Sequence, residues 1–178
     1  MKKRLTLLQM DVHVNDVEYN YNRVQELLTQ SLTENPDIIV LPETWNTGFH
    51  PSDDLITIAD RNGERTKSLL TAFAKEHNVN IVGGSVAVAK DDLVFNTSYA
   101  YNREGDLVGE YSKMHGFSPA KEDKYFASGT HTTHFKLDGI PCSTVICYDI
   151  RFPELVRMAA LPGTELLFVP AQWPTMRL

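Results

Sequence analysis

An α/β fold with a layered core is what this sequence predicts, and three observations predict it. Helical and strand patterns alternate from the first residues onward. The short run Ile38, Ile39, Val40, Leu41 is apolar throughout, as in strands covered on both faces. A meander of strands then fills the middle of the chain, and helices flanking such a meander at both ends imply stacked layers.

The elements follow in order. Residues 5–12 read as a first strand, broken in polarity only by Gln9 and Asp11. Asn15 is placed to cap a helix, with Glu18 three residues on completing a capping box. Val17, Tyr21, Val24, Leu28 and Leu32 recur at helical spacing up to about Asn35, and Pro36 ends the run. After the apolar strand comes a loop over 42–63, then a helix over 64–78 with Leu69, Leu70, Phe73 and Ala74 on one side. Strands are expected over 79–89, 94–101 and 107–112, separated by Lys90-Asp91-Asp92 and Asn102-Arg103-Glu104-Gly105. Residues 113–129 are irregular and polar. Strands over 133–137 and 142–146 flank Asp138-Gly139, a tight-turn signal. A helix over 152–161 carries Pro153 early, where a missing N–H costs nothing, and 166–169 is a last buried strand.

Composition bounds the function. The 178 residues are 42% hydrophobic and 22% charged, enough for a real core and for one domain over 1–178. Seventeen Lys and Arg against 23 Asp and Glu give a net charge of −6, which argues against a general nucleic-acid binder. Gln9 and Asp11 interrupt the first apolar run, so neither a signal peptide nor a membrane span is expected, and a cytoplasmic location is. Cys142 and Cys147 sit five residues apart in one strand pattern, roughly 16 Å if extended. A disulfide needs Cα atoms within about 7 Å, so two free thiols are expected, as in a reducing compartment.

Several residues could carry chemistry. Cys147 ends an apolar strand and leads directly into a helix start, where backbone N–H groups favour a thiolate and a developing oxyanion. A buried structural cysteine is the equal alternative on position alone. Glu43 leaves a buried strand into a loop with Trp45, where ligands of α/β sheets gather and desolvation raises a carboxylate pKa. Lys113 closes a strand of the meander, and His115 is a rival base for a Cys-His pair without an evident orienting partner. Arg151 could pair with a substrate carboxylate or form an internal bridge to Glu154 or Asp149. Tyr148, Trp45 and Trp173 are candidate pocket walls. The histidines at 13, 50, 77, 115, 131 and 134 show no zinc-like spacing with cysteine.

Three stretches, LPETWNTGF, YSKMHGF and STVICYDIRFPE, together resemble the carbon–nitrogen hydrolase (nitrilase) superfamily, and the last is similar to its ω-amidase-like branch. The resemblance implies a four-layer α-β-β-α sandwich. It implies Glu43 as general base, Lys113 as electrostatic stabiliser, Cys147 as nucleophile and Glu122 as a second site glutamate. It also implies cofactor-free hydrolysis of a small carboxylate-bearing amide through a thioester, releasing ammonia, in a homodimer or higher homo-oligomer. The family fold continues past residue 178, so the chain is expected to be the N-terminal two thirds or so of the usual domain, with the C-terminal part missing and lower stability alone. Two other readings stand beside it: a binding or structural subunit with impaired catalysis, and a hydrolase of carbamoyl amides.

Overall fold

In the computed structural model, which describes residues 2–49 and 52–173, the elements run β1 (Leu5–Leu7), α1 (Val17–Ser31), β2 (Ile38–Val40), α2 (Leu55–Ile58) and β3 (Asp60–Arg61). They continue with α3 (Glu64–His77), β4 (Asn80–Val82), β5 (Val86–Lys90), β6 (Leu93–Tyr101), β7 (Leu107–Ser112) and α4 (Glu122–Tyr125). The last are β8 (His134–Leu137), β9 (Ile140–Thr144), α5 (Pro153–Ala160) and β10 (Leu166–Phe168).

Period-two alternation sends the side chains of the central strands into two different cores. Ile39, Ile81, Tyr99 and Tyr101 face Tyr21, Val24 and Leu28 of α1 and Leu70, Phe73 and Ala74 of α3. Their strand neighbours Ile38, Val40, Val82 and Ala100 face the other way, onto Phe135, Leu137, Cys142 and Phe168 of a second sheet. That sheet covers its outer face with α5, through Val145, Leu155 and Ala159. Helices, sheet, sheet and helix therefore stack as the four-layer sandwich that the motifs imply.

In the larger sheet β1, β2 and β4 are parallel, with Leu5 opposite Ile38 and Ile38 opposite Asn80. β4 and β5 lie end to end, antiparallel, along one edge of β6, and β7 takes the other edge. The smaller sheet has the order β10-β9-β8, with β9 and β10 parallel. Asp138 and Gly139, at φ 50° and 80°, make the tight turn between β8 and β9.

Five expectations are revised. The first strand stops at Leu7, with Leu8 N–H still donating to Val40 O, because the chain beyond turns away to pack beside the loop after β2: His13 N–H donates to Asn20 Oδ1, and Asn15 N–H to Thr47 O. The helix cap falls on Asp16, whose Oδ1 accepts Tyr19 N–H at 3.1 Å, while Asn15 takes the left-handed turn before it. Glu18 is consequently out of capping position and pairs with Arg65 of α3. The strand over 79–89 breaks at Gly83-Gly84-Ser85. Gly84 sits at φ 62° with Pro42 O so close that a Cβ would meet it at 2.0 Å. The irregular 113–129 stretch contains the single turn α4, and the 42–63 loop contains α2 and β3.

Candidate active site

Glu43 owes its position to how the chain leaves β2. The turn is sharp, with Thr44 at φ 41°, and the broken strand holds it from below. Thr44 N–H donates to Ser85 Oγ at 3.0 Å, Trp45 N–H to Ser85 O, and Ser85 N–H to Pro42 O at 3.0 Å. Asn46 then caps β5 like a short extra strand, donating to Ala87 O and accepting Ala87 N–H. The Glu43 side chain is thereby fully buried, directed away from the helix-facing core.

Three elements converge on it. Lys113, just past β7 and 4% exposed, places Nζ 2.8 Å from Glu43 Oε1, and 2.9 and 2.7 Å from Glu122 Oε1 and Oε2. An ammonium has three N–H donors, and here three carboxylate oxygens receive them. Glu122 opens α4, fully buried, and also accepts Phe117 N–H at 2.8 Å. Asn96 of β6 donates from Nδ2 to Glu43 Oε1 at 3.1 Å and Glu122 Oε1 at 3.0 Å. The second Glu43 oxygen accepts the backbone N–H of Gln172, at 3.0 Å. The ring of Phe49 lies 5.4 Å from Lys113 Nζ, a cation–π distance that closes one side.

Cys147 enters from the second sheet. After β9 the chain runs through Val145 and Ile146 into a one-turn 3-10 helix over Cys147–Arg151, and only then into α5. The helix expected over 152–161 forms as α5, and this tighter turn stands between it and the cysteine. Cys147 stands at its head at φ 46°, a left-handed conformation that non-glycine residues adopt at a cost. Cys147 N–H donates to Pro170 O at 2.9 Å, and Asp149 Oδ2 accepts Ile146 N–H at 3.0 Å, so both flanks of the elbow are fixed. The thiol faces Glu43, whose charge acts on it.

The electrostatics follow from burying two carboxylates with one ammonium. Desolvation raises the Glu43 pKa, opposed by Lys113 and reinforced by the charge of Glu122. Burial alone would lower Lys113, but its two carboxylates outweigh it and its pKa is raised, so it stays cationic. Burial pushes the Cys147 thiol up to about 12, with the Glu43 charge adding to it. At neutral pH the resting sulfur is therefore a thiol beside Glu43.

The other sequence candidates divide. Tyr148 is half-buried beside the thiol residue, edge-on to Phe117 and Phe152. Arg151 lies exposed on the elbow, and among the described residues no ion pair joins it to Glu154 or Asp149. Trp173 is 54% exposed at the end of the described chain. Trp45 is fully buried in the helix-facing core instead of standing at the loop surface, edge-on to Tyr21 at 4.8 Å with Nε1 donating to Gly83 O. Its indole is too large and apolar to stay in the loop when a core lies behind it.

His115 does have an orienting partner, contrary to the sequence reading. Its Nδ1 and backbone N–H both lie 2.9 Å from Asp149 Oδ1, and its ring stacks on Phe152 at 3.6 Å. That partner braces the elbow instead of freeing a base, since Asp149 also accepts Tyr111 O–H at 2.7 Å. Asn96, Gln172 and Phe49 are site neighbours that sequence reasoning missed, and Asp149 was weighed only as a partner for Arg151. Only Asp149, two residues from Cys147, carried a local signal. Among the described residues no three His, Cys, Asp or Glu side chains gather as a metal site, and His50 lies outside those residues.

Comparison with known proteins adds a second line. The model of the carbon-nitrogen hydrolase family matches residues 4–177. The chain is similar to the 2-oxoglutaramate amidase of Bacillus subtilis (strain 168), 39% identical over 178 residues, which is all of this chain and 68% of that protein. It is 33% identical over 177 residues to a hydrolase in the agr operon of Staphylococcus aureus, covering 98% of this chain and 67% of that one. Among solved structures, a CN-hydrolase superfamily protein of Xanthomonas campestris with an arsenic adduct in its active site superposes with a TM-score of 0.85. It is 28% identical, over 98% of this chain and 66% of that chain. The chain thus spans about two thirds of the length of each of these proteins.

Proposed function

The chain belongs to the carbon–nitrogen hydrolase family, and from that premise we propose that it hydrolyses the terminal amide of a small carboxylate-bearing substrate through a thioester on Cys147. The observation that carries this reading is the contact of a thiol on a left-handed elbow with a buried carboxylate whose pKa is raised. An amide is a weak electrophile with a poor leaving group, so it needs both an activated nucleophile and a proton donor.

The steps follow from the protonation states. A thiol held near 12 is not ionised in advance, so its proton moves to Glu43 as the sulfur attacks the carbonyl carbon. The C=O electron pair goes to oxygen, giving a tetrahedral oxyanion, and the backbone N–H of Tyr148 is the proposed donor to it. Lys113 contributes its charge from within the carboxylate pair, because its three donors are engaged there. Protonated Glu43 returns its proton to nitrogen, the C–N bond breaks and ammonia leaves. Water then gives a proton to Glu43 and attacks the thioester; the C–S bond breaks, the thiol is re-formed and the acid departs. No cofactor is required by this sequence of steps.

The substrate class rests on the similarity to the 2-oxoglutaramate amidase, whose name gives a molecule with an amide at one end and a carboxylate at the other. Arg151 is the proposed carboxylate contact, and Tyr148 the proposed wall beside the acyl chain. The test is ammonia release from 2-oxoglutaramate, with ammonia and carbon dioxide release from an N-carbamoyl amino acid measured in parallel. The parent is expected to release ammonia alone, and Cys147→Ala to lose about 1,000-fold or more with its circular dichroism unchanged. Equal carbon dioxide and ammonia from the N-carbamoyl amino acid, with no ammonia from 2-oxoglutaramate, would reassign the chain to carbamoyl hydrolysis. Activity retained without the thiol would remove the mechanism.

A further inference from the structure

Asn96 touches three site residues at once. Its carbonyl accepts the backbone N–H of Lys113 at 2.9 Å, and its Nδ2 donates to Glu43 Oε1 and to Glu122 Oε1. It is 1% exposed, and its Oδ1 is buried without a hydrogen-bond partner among the described residues. The orientation of the amide is dictated by its neighbours, since ionised carboxylates only accept. Lys113 Nζ and Asn96 Nδ2 therefore face each other across two carboxylate oxygens and close a ring of four hydrogen bonds.

We propose that Asn96 is a positioning residue that selects which oxygen of Glu43 receives the proton of Cys147. This rests on the reading of Glu43 as the base. A carboxylate oxygen offers two lone-pair sites. Both sites of Oε1 are taken, by Lys113 and Asn96, whereas Oε2 holds only the Gln172 N–H and keeps one site open. The S–H bond breaks toward Oε2, the sulfur keeps the electron pair, and the proton stays on the side of the carboxylate from which it can be returned. Asn96 does this without charge. A second cation there would hold Glu43 ionised more firmly and weaken it as a base.

The charged and titratable groups that face Glu43 are Lys113 after β7, Glu122 at the start of α4 and Cys147 on the elbow. With those unchanged, removing the Asn96 donor leaves an Oε1 site empty and raises the proton affinity of Glu43, because a donor favours the ionised form. The experiment is the pH dependence of Cys147 alkylation by iodoacetamide, read by mass spectrometry of the Cys147 peptide. It compares the parent, Asn96→Ala and Asn96→Ser, with ammonia release measured alongside. The acid limb of alkylation is expected to move up by about one pH unit in the alanine variant and by less in the serine variant, which keeps one donor. kcat should fall about 10- to 100-fold with KM within about twofold of the parent.

Serine fits the same space, so it carries the test if alanine does not fold. A serine-variant profile that overlays the parent overturns the proposal, as does a change confined to KM. A shifted limb in a protein whose parent releases no ammonia upholds the positioning role and retires the substrate reading instead.

Discussion

The same strands carry a charge cluster at each of their ends, and the two clusters have opposite chemistry. Asp37 precedes β2 and Glu43 follows it; Arg103 lies before β7 and Lys113 after it; Asp138 lies before β9 and Cys147 beyond it. At the first end Arg103 bonds Asp138 through Nε and Nη2 and reaches Asp37 at 2.9 Å, while Lys3 reaches Asp138 at 2.7 Å. Two cations and two anions balance there, with side chains 16–30% exposed. Backbone donation from Arg4 holds Asp37 low, and the Arg103 hydrogen bonds hold Asp138 far below the usual carboxylate range. At the other end two anions share one cation, all but dry, and the carboxylate and thiol pKa values rise. Balance makes a clamp between the sheets; imbalance under burial makes a reactive site.

The largest effect that sharpens this contrast is expected for Glu43→Gln. The amide keeps the shape but cannot take the thiol proton, so thioester formation should fall about 100- to 10,000-fold in single-turnover assays. In the parent, the acid limb of kcat/KM should lie above the ordinary glutamate value of about 4.3, because burial raises the Glu43 pKa. An acid limb at or below that value would place Glu43 among ordinary surface carboxylates.

Lys113→Met tests the imbalance itself. Two buried carboxylates then face each other without a cation, and a loss of about 3–5 kcal/mol is expected in denaturant unfolding at pH 7. Glu43, already raised by burial, would bind its proton still more tightly folded than unfolded, so the variant should regain stability as pH falls toward 5. Unfolding that is insensitive to pH in this range would contradict the charge imbalance.

The clamp should respond with the opposite sign and the smallest size. Asp37 and Asp138 have folded pKa values below their unfolded ones, so their stabilisation is present above about pH 4 and is lost as pH falls further. Asp138→Asn should cost on the order of 1 kcal/mol at neutral pH and flatten that acid loss, while ammonia release stays within about twofold. A change in kcat in this variant would show that the two ends are coupled through the strands.

Much of this was legible along the chain because it is local. The pattern of Ile38, Ile39 and Val40 announced a strand with two covered faces, and those residues do enter two cores. Glu43, Lys113 and Cys147 each stand just past a strand, and Glu122 falls in a stretch without periodicity, so motif resemblance alone singled it out. Trp45 misled because a tryptophan in a loop reads the same whether it lines a cleft or turns back into the core. Asn15 and Asp16 are both good caps, and which one serves depends on the packing of residues 8–14 beside the loop after β2.

Residue order by itself determined the layers and the strand-end positions of the ionisable groups, because alternation, turns and helix breaks act over a few residues. Tertiary structure alone decided that Lys113 gives all three donors to carboxylates, that Asn96 bridges them, and that His115 serves Asp149. Those outcomes depend on distances of about 3 Å between residues up to 70 positions apart. Only the closure of both sheets, with the water it excludes, sets such distances and the pKa values that follow from them.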